Sequence, residues 1–265
     1  MFKPVKDMLR KKRRPVASIP EGHRVYAIGD IHGRLDLLDA LIDAVEDDDA
    51  SAGKAISTVI LLGDLVDRGP DSAGVIARAR DWQQQRNVRI LAGNHEEMFL
   101  GALEKKETLR QFIRHGGRET ILSYGVKKKD YNSASMEELL TIYRDAVPEA
   151  DIAFLKGFEE LIVIGDYLFV HAGIAPDVAP NAQKRKDMLW IREPFLSYRE
   201  PHSHVVVHGH TISDKVEDCG NRIGIDTGAY CNGRLTALVL EGSTRRYLTA
   251  RDDVAGIKIK QKAFG

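Results

Sequence analysis

The sequence predicts an α/β fold, on two observations. The first is a set of five apolar runs, each leading into a glycine-containing junction that carries Asp, Asn or His. Val25 to Ile28 leads to Gly29-Asp30-Ile31-His32-Gly33, and Thr58 to Leu62 to Gly63-Asp64-Leu65-Val66-Asp67-Arg68-Gly69. Val88 to Leu91 leads to Gly93-Asn94-His95-Glu96, Leu168 to Val170 to His171-Ala172-Gly173, and Val205 to Val207 to His208-Gly209-His210. Short apolar runs closed by glycine fit buried strands, and open α/β sheets place their ligands at the carboxyl ends of such strands. The second observation is spacing. Asp30, Asp64 and Asn94 follow one another at the roughly 30-residue interval of a βαβ unit.

The elements follow in order. Strands are expected at 24–29, 57–62 and 88–92. Between them, Arg34 to Asp47 reads as a helix with Leu35, Leu38, Leu41, Ile42 and Val45 on one face. A second helix follows Pro70-Asp71-Ser72, which reads as a turn and N-cap, and buries Val75, Ile76, Ala79 and Trp82. His95 to Glu107 reads as a third. Asp47-Asp48-Asp49 lacks the glycine and glutamate spacing of a calcium loop, so it reads as a solvated helix end.

From about 108 to 160 the strand pattern stops, and the stretch reads as a helical insertion beside the site. Leu109 to Ile113 looks helical and ends near Gly116-Gly117. Ser135-Met136-Glu137-Glu138 is a capping-box pattern, Pro148 opens a further helix, and Lys127-Lys128-Lys129 reads as an exposed loop. Strands return at 161–165 and 167–171 around an Asp166-Tyr167 turn, then at 204–208, 222–226, 235–240 and 245–249. This half reads as mostly antiparallel. One domain is expected over 21–250, with a basic flexible tail at 1–20 and a loosely held tail at 251–265.

The 265 residues are ample for one core, and 39 Lys and Arg balance 39 Asp and Glu. Composition alone therefore predicts no polyanion-binding protein. The two cysteines, Cys219 and Cys231, form no Cys-x-x-Cys pattern, which favours a reducing compartment; a cytoplasmic location is expected. No dedicated nucleic-acid segment is visible, and no stretch approaches the roughly 18 apolar residues of a membrane span. The basic N-terminus, with Lys3, Lys6, Arg10, Lys11, Lys12, Arg13 and Arg14, reads as a solvated tail able to make a weak, salt-sensitive contact with an anionic surface.

The candidate ligands Asp30, His32, Asp64, Asn94, His171 and His210 offer oxygen and imidazole nitrogen but no thiolate. That set suits Mn²⁺, Fe, Zn²⁺ or Co²⁺ and disfavours Ca²⁺ or an iron–sulfur cluster. It holds too many ligands for one open catalytic ion. Two ions about 3.5–4 Å apart, sharing a carboxylate, fit better. Any one junction alone reads more readily as a turn or a packed histidine; the ordered set of five does not.

These motifs together resemble the signature of the metallophosphoesterases, and more narrowly the phosphoprotein phosphatase branch with its small bacterial and phage serine/threonine phosphatases. The resemblance spans residues 29 to 210 and implies two mixed β-sheets packed as a sandwich flanked by helices, the calcineurin-like phosphoesterase fold. It implies two divalent ions, most often manganese (with Fe, Zn, Co or Mg as alternatives). Asp30 and His32 would bind the first ion, Asp64 would bridge, and Asn94, His171 and His210 would complete the second. A water bridging the pair would attack the phosphoryl group in line. His95 would be the general acid, Asp67 would hold it, and Arg68, Asn94 and Arg192 would bind the phosphate. The broader superfamily often carries a further His where this chain has Ile212, a departure that favours the phosphoprotein-type site. His208 is expected to be a packed histidine, Asp226 a support beneath the metals, and Tyr230 a residue able to face the cleft.

The resemblance implies a metal-dependent serine/threonine protein phosphatase acting on phosphorylated protein. The alternative is a symmetrical diadenosine tetraphosphate hydrolase, or a broad small-molecule phosphoesterase. The dinucleotide enzymes usually have Ala at the place of Asp67, Asp at that of Glu96 and Trp at that of Thr211. A catalytically silent module for phosphorylated partners would lack a ligand or the acid, and none is missing.

Overall fold

The computed structural model describes residues 16–263, and the basic segment Lys3 to Arg14 lies outside them. The expected βαβ half is present. β1 (His23–Ile28), α1 (Leu35–Ser51), β2 (Ile56–Leu61), α2 (Ser72–Gln85) and β3 (Val88–Ile90) alternate in sequence, and β1, β2 and β3 pair in parallel. Asp71 caps α2 by accepting the Gly74 N–H at 2.8 Å.

The third expected helix, α3 (Asn94–Glu104), follows β3, and the insertion after it contains five α-helices: α4 (Lys106–Phe112), α5 (Arg118–Ser123), α6 (Lys128–Ser133), α7 (Met136–Ala146) and α8 (Glu149–Lys156). The expected capping box at Ser135 and Glu138 opens α7. Lys128 and Lys129 begin α6 rather than lying in a loop, though they are exposed as expected. Phe99, Phe112, Tyr143 and Leu155 join the insertion to the core that α1 and α2 share.

The chain then forms β4 (Leu161–Ile164), β5 (Tyr167–Val170), α9 (Arg185–Trp190), β6 (Val205–His208), β7 (Glu217–Asp218), β8 (Arg222–Gly224), α10 (Ala229–Asn232), β9 (Arg234–Glu241), β10 (Thr244–Asp253) and β11 (Gly256–Ala263). The larger sheet runs β11-β10-β9-β1-β2-β3 and the smaller β4-β5-β6-β8-β7. This is the expected pair of mixed sheets.

Strand alternation builds the layers. Val25 and Ala27 face the smaller sheet with Ile60, Phe169, Val207 and Leu238, while Tyr26 and Ile28 face α1 and α2. The other face of the smaller sheet buries Leu168, Val170 and Val206 against Met188 and Phe195.

The second half is mostly antiparallel, as expected: β4–β5, β7–β8, β9–β10 and β10–β11 pair in that sense, while β5, β6 and β8 pair in parallel at the centre of the smaller sheet. Three expectations are corrected. The turn before β5 is Gly165-Asp166, and Tyr167 opens the strand. Residues 251–265 are not a loose tail as far as they are described: β10 runs on to Asp253 and β11 pairs with it from Arg246↔Ala263 to Asp253↔Gly256. The alternation there is Lys with Ile or Gln, too polar to register as a strand with a buried face. Lastly, the acidic run at the end of α1 is not a solvated end. Asp48 is buried and accepts from Tyr26 Oη (2.6 Å) and from Arg246, and Asp49 pairs with Arg24 (2.7 Å) and Arg86 (2.8 Å). No helix among the described residues is long and apolar enough to cross a membrane.

Candidate metal centre and phosphate cleft

The sheets bring the five junctions to one edge, and the expected ligands and acid converge there in burial. Asp30, His32, Asp64, Asp67, Asn94, His95 and His171 are all buried, and His210 nearly so. His32, Asp64, Asp67, Arg68 and His210 share an unusual backbone, with φ of 47°, 50°, 74°, 70° and 63°. Non-glycine residues in the left-handed region cost about 1–3 kcal/mol each and persist only where surrounding contacts impose them. Here each turn swings a side chain off its strand end into the cluster.

The donor atoms meet as lone pair against lone pair. His171 Nδ1 lies 2.8 Å from the Leu62 carbonyl, so that nitrogen carries the hydrogen and donates it there. Its Nε2 lone pair then faces Asn94 Oδ1 at 2.9 Å and Asp64 Oδ1 at 3.4 Å. His32 repeats the pattern: Nδ1 donates to the Val66 carbonyl at 2.8 Å, and Nε2 faces Asp64 Oδ2 at 3.5 Å. Burial lowers both imidazoles, so they are neutral. His210 is lowered to about 3 by burial and by His171; its Nδ1 lies 2.8 Å from Asn94 Oδ1, and its Nε2 is buried with no hydrogen-bond partner among the described residues.

Acceptors gathered this closely fit a cation between them. Two three-residue groups meet that geometry, His32–Asp64–His95 and Asp64–His171–His210; Asp64 belongs to both, and the first brings in His95, expected as the acid, where Asp30 was expected as the ligand. Asp30 is in neither, because both its carboxylate oxygens are turned to the His210 N–H at 3.1 and 3.0 Å. Burial and the nearby Asp226 and Asp64 carboxylates raise the Asp30 carboxyl well above its ordinary range, and a divalent cation relieves that repulsion. A Cβ at Gly209 would stand 2.0 Å from Asp30 Oδ1, so glycine is required there.

Beside the candidate ligands sits a buried imidazole–carboxylate pair. His95 Nδ1 lies 2.6 Å from Asp67 Oδ2, both fully buried. Burial lowers the His95 imidazole, but the Asp64 and Asp67 charges outweigh it and the net shift is upward. Asp67 is gripped in turn. Thr120 Oγ1 donates to Asp67 Oδ1 at 2.6 Å, and the Asp67 N–H lies 2.9 Å from Ser72 Oγ and 3.0 Å from Thr120 Oγ1. The Arg68 N–H donates to the carbonyl of Gly116 at 3.1 Å, where Gly116 has φ of 109°. The insertion thus builds the site rather than lying beside it.

Arg68 extends its guanidinium over the Tyr230 ring, 4.7 Å from the centroid, and reaches His32 Nε2 and His95 Nε2 at 3.0 Å each. The cleft above has a volume of about 440 Å³. Arg192, exposed, lines it with Arg68, Trp190, Tyr230 and His115. His208 is packed, as expected: its ring lies 5.0 Å from that of Phe195 and its Nδ1 3.0 Å from the Gly209 carbonyl.

Sequence reasoning missed the residue that ties the loops together. Glu96 is buried, and its carboxylate accepts the N–H groups of Asp64 (2.9 Å), Leu65 (2.8 Å) and Gly93 (2.8 Å). It therefore joins the β2 junction to the start of α3. The signal was available in Gly93-x-x-Glu96, the reciprocal half of a capping box before an apolar helix. Ser72, Thr120 and His115 carried no such signal.

Fold and site together define a metal-dependent phosphoesterase. The chain belongs to the calcineurin-like phosphoesterase family, whose model matches residues 23–235. It is similar to serine/threonine-protein phosphatase 1 of Salmonella typhimurium, 28% identical over 218 residues that cover 80% of this chain and 89% of that one. It is also similar to a symmetrical bis(5'-nucleosyl)-tetraphosphatase of Neisseria gonorrhoeae, 25% identical over 264 residues, covering 82% and 92%. Among solved structures, a candidate diadenosine tetraphosphatase shares the fold with a TM-score of 0.60 and 20% identity, covering 94% of this chain and 99% of that one.

Proposed function

We propose that this protein is a metal-dependent phosphatase that hydrolyses phosphoserine and phosphothreonine monoesters in proteins. The observation that carries the reading is the buried Asp67–His95 pair, 2.6 Å apart, beside the Arg68 fork. A phosphomonoester with an alkoxide leaving group needs a proton delivered as the bond breaks, and a held imidazole supplies it.

Asp30, His32, Asp64, Asn94, His171 and His210 would hold two divalent cations, and their oxygen and nitrogen donors suit manganese, with Fe, Zn, Co or Mg as alternatives. Bound there, the cations supply Lewis acidity to the phosphoryl oxygens and to an attacking water. Arg68 binds two phosphoryl oxygens through its planar fork, as lysine could not, and the Tyr230 ring supports the guanidinium from one face. Asn94 and Arg192 would add phosphate contacts from the floor and rim of the cleft. With phosphate accepting from Arg68, His95 Nε2 is free to hold the proton destined for the leaving oxygen. Asp67, anchored by Thr120, keeps Nδ1–H in place and favours the imidazolium.

The second reading, a diadenosine tetraphosphate hydrolase, is favoured by the similarity to the bis(5'-nucleosyl)-tetraphosphatase. Purified protein supplied with Mn²⁺, assayed side by side on phosphopeptides and diadenosine tetraphosphate, separates the two. A higher kcat/KM on phosphothreonine peptides is expected. Preference for the dinucleotide overturns the first reading.

A further inference from the structure

The site uses one end of the fold. A second concavity, of about 430 Å³, lies between the loop that follows His210 and the β9–β10–β11 end of the larger sheet. Its origin is visible in the strand register. On β9 and β10 the residues facing the smaller sheet include Leu238, Leu240 and Tyr247, which are buried in the inter-sheet layer. Further along the same alternating face come Thr236 and Arg234 on β9, paired with Thr249 and Arg251 on β10. There the face turns from apolar to polar, and the groove opens on it.

Its floor is a chain of hydroxyls, with Thr227 Oγ1 2.9 Å from Thr236 Oγ1 and Thr236 Oγ1 3.1 Å from Thr249 Oγ1. Its rim is cationic. Lys215, Arg251, Lys260 and Lys262 are exposed and have no ion-pair partner among the described residues. The one acid lining the groove, Asp214, is turned to Arg234 at 3.9 Å. Asp253, paired with Lys258, lies near enough to Arg251 and Lys260 for their charges to lower its carboxyl, yet in a chain of zero net charge four cations around one groove lined by a single acid remain a local excess.

The groove shares a wall with the catalytic cleft. Thr211 and Ile212 line the cleft, while Asp214, Lys215 and Val216 line the groove. Two residues of chain span at most about 7 Å. The wall is pinned from both sides, by Ser213 N–H to the Asp226 carbonyl (3.0 Å) and by Arg234 to the Asp214 carbonyl (2.6 Å).

We infer that this groove docks an acidic peptide segment flanking the phosphorylated residue. The inference rests on the protein-phosphatase reading and names the sequence class of its substrates. Lys260 and Lys262 stand on one face of an edge strand, about 7 Å apart, the repeat of alternate side chains in an extended peptide. A nucleoside fits less well. Tyr247 is the one aromatic ring lining the groove, and it is only 6% exposed, so no open face is offered for base stacking.

The test compares a phosphothreonine peptide flanked by glutamates with the same peptide flanked by glutamines, using full-length protein with Mn²⁺ and p-nitrophenyl phosphate as the small substrate. The wild type should show a KM about five- to twenty-fold lower for the glutamate peptide, a gap that closes at high salt. Lys260→Glu with Lys262→Glu should abolish that gap. Lys260→Arg with Lys262→Arg should retain it, and both double variants should turn over p-nitrophenyl phosphate as the wild type does. Equal KM values for the two peptides in the wild type, or a gap that survives charge reversal, overturn the groove and leave the phosphatase reading standing. Turnover of p-nitrophenyl phosphate and diadenosine tetraphosphate with neither peptide hydrolysed overturns that reading, and this inference with it. A KM shift in the reversed variant for diadenosine tetraphosphate alone assigns the groove to a nucleotide and overturns the peptide.

Discussion

Replacing Glu96 by Gln tests whether the two loops that carry Asp64 and Asn94 are held by one carboxylate. Oε2 accepts from the Asp64 and Gly93 N–H groups at 2.9 and 2.8 Å, and Oε1 from Leu65 at 2.8 Å and more weakly from Val66 at 3.4 Å. Glutamine has the same shape and one acceptor fewer. Its carbonyl best replaces Oε2, which leaves the amide NH₂ against the Leu65 N–H, donor facing donor. Losing one charge-assisted bond costs about 1.5–3 kcal/mol, and the stranded buried N–H about 1–3 more. An offset comes from Asp64, because burial and that neighbouring charge raise the Glu96 carboxyl and the variant removes the repulsion. The net expectation is a loss of about 2–4 kcal/mol. At the roughly 3 kcal/mol/M urea dependence of a chain this size, the unfolding midpoint should fall by about 1 M. The same slackening frees Asp64 from its left-handed conformation, φ 50°. Manganese affinity, read by calorimetric titration, and kcat should each fall about 10–100-fold. A midpoint within about 0.2 M of wild type, with unchanged manganese affinity, would refute the clamp.

Three further outcomes are expected. His95→Asn should lower kcat by about 10²–10⁴ while metal content by elemental analysis stays at the wild-type level; retained turnover would remove His95 from the proton-donor role. Gly209→Ala should lower the bound metal stoichiometry with far-ultraviolet circular dichroism unchanged, because the added Cβ falls 2.0 Å from Asp30 Oδ1; full occupancy would show that the two loops yield freely. The third concerns acid stability. Burial raises the Asp48 carboxyl, but the hydrogen bonds from Arg246 and Tyr26 outweigh it, so its folded value is depressed. A depressed carboxylate contributes stability above its unfolded range, near pH 4, and loses it as pH falls through the folded value. The melting temperature of Asp48→Asn should therefore lie below wild type at neutral pH and converge on it as pH drops below about 4. Parallel curves would rule the attribution out.

What the sequence determined by itself is the candidate ligand set and the half of the fold that presents it. Asp30, Asp64, Asn94, His171 and His210 each follow a run of apolar residues and a glycine is close by, so strand, turn and candidate ligand are all encoded within a few consecutive residues. The βαβ spacing is likewise a local signal, since it counts residues along one chain. The third helix of that half, by contrast, ends at Glu104 rather than Glu107, a boundary that side-chain periodicity marks poorly.

Only the tertiary structure decided how those residues are held. Thr120 reaches Asp67 across the insertion, Glu96 joins two strand ends, and Asp48 finds Arg246 on β10. Each is a buried polar pair between segments distant in sequence, and periodicity records which face of an element is apolar, not which distant polar group will meet it. The left-handed turns at His32, Asp64, Arg68 and His210 belong here too, because any residue with a Cβ adopts that conformation uncommonly and the assembled contacts impose it. The strand β11 was hidden for a related reason. Its lysines and isoleucines alternate without a buried face, and its place in the sheet is set by backbone pairing with β10, to which side-chain hydrophobicity is blind.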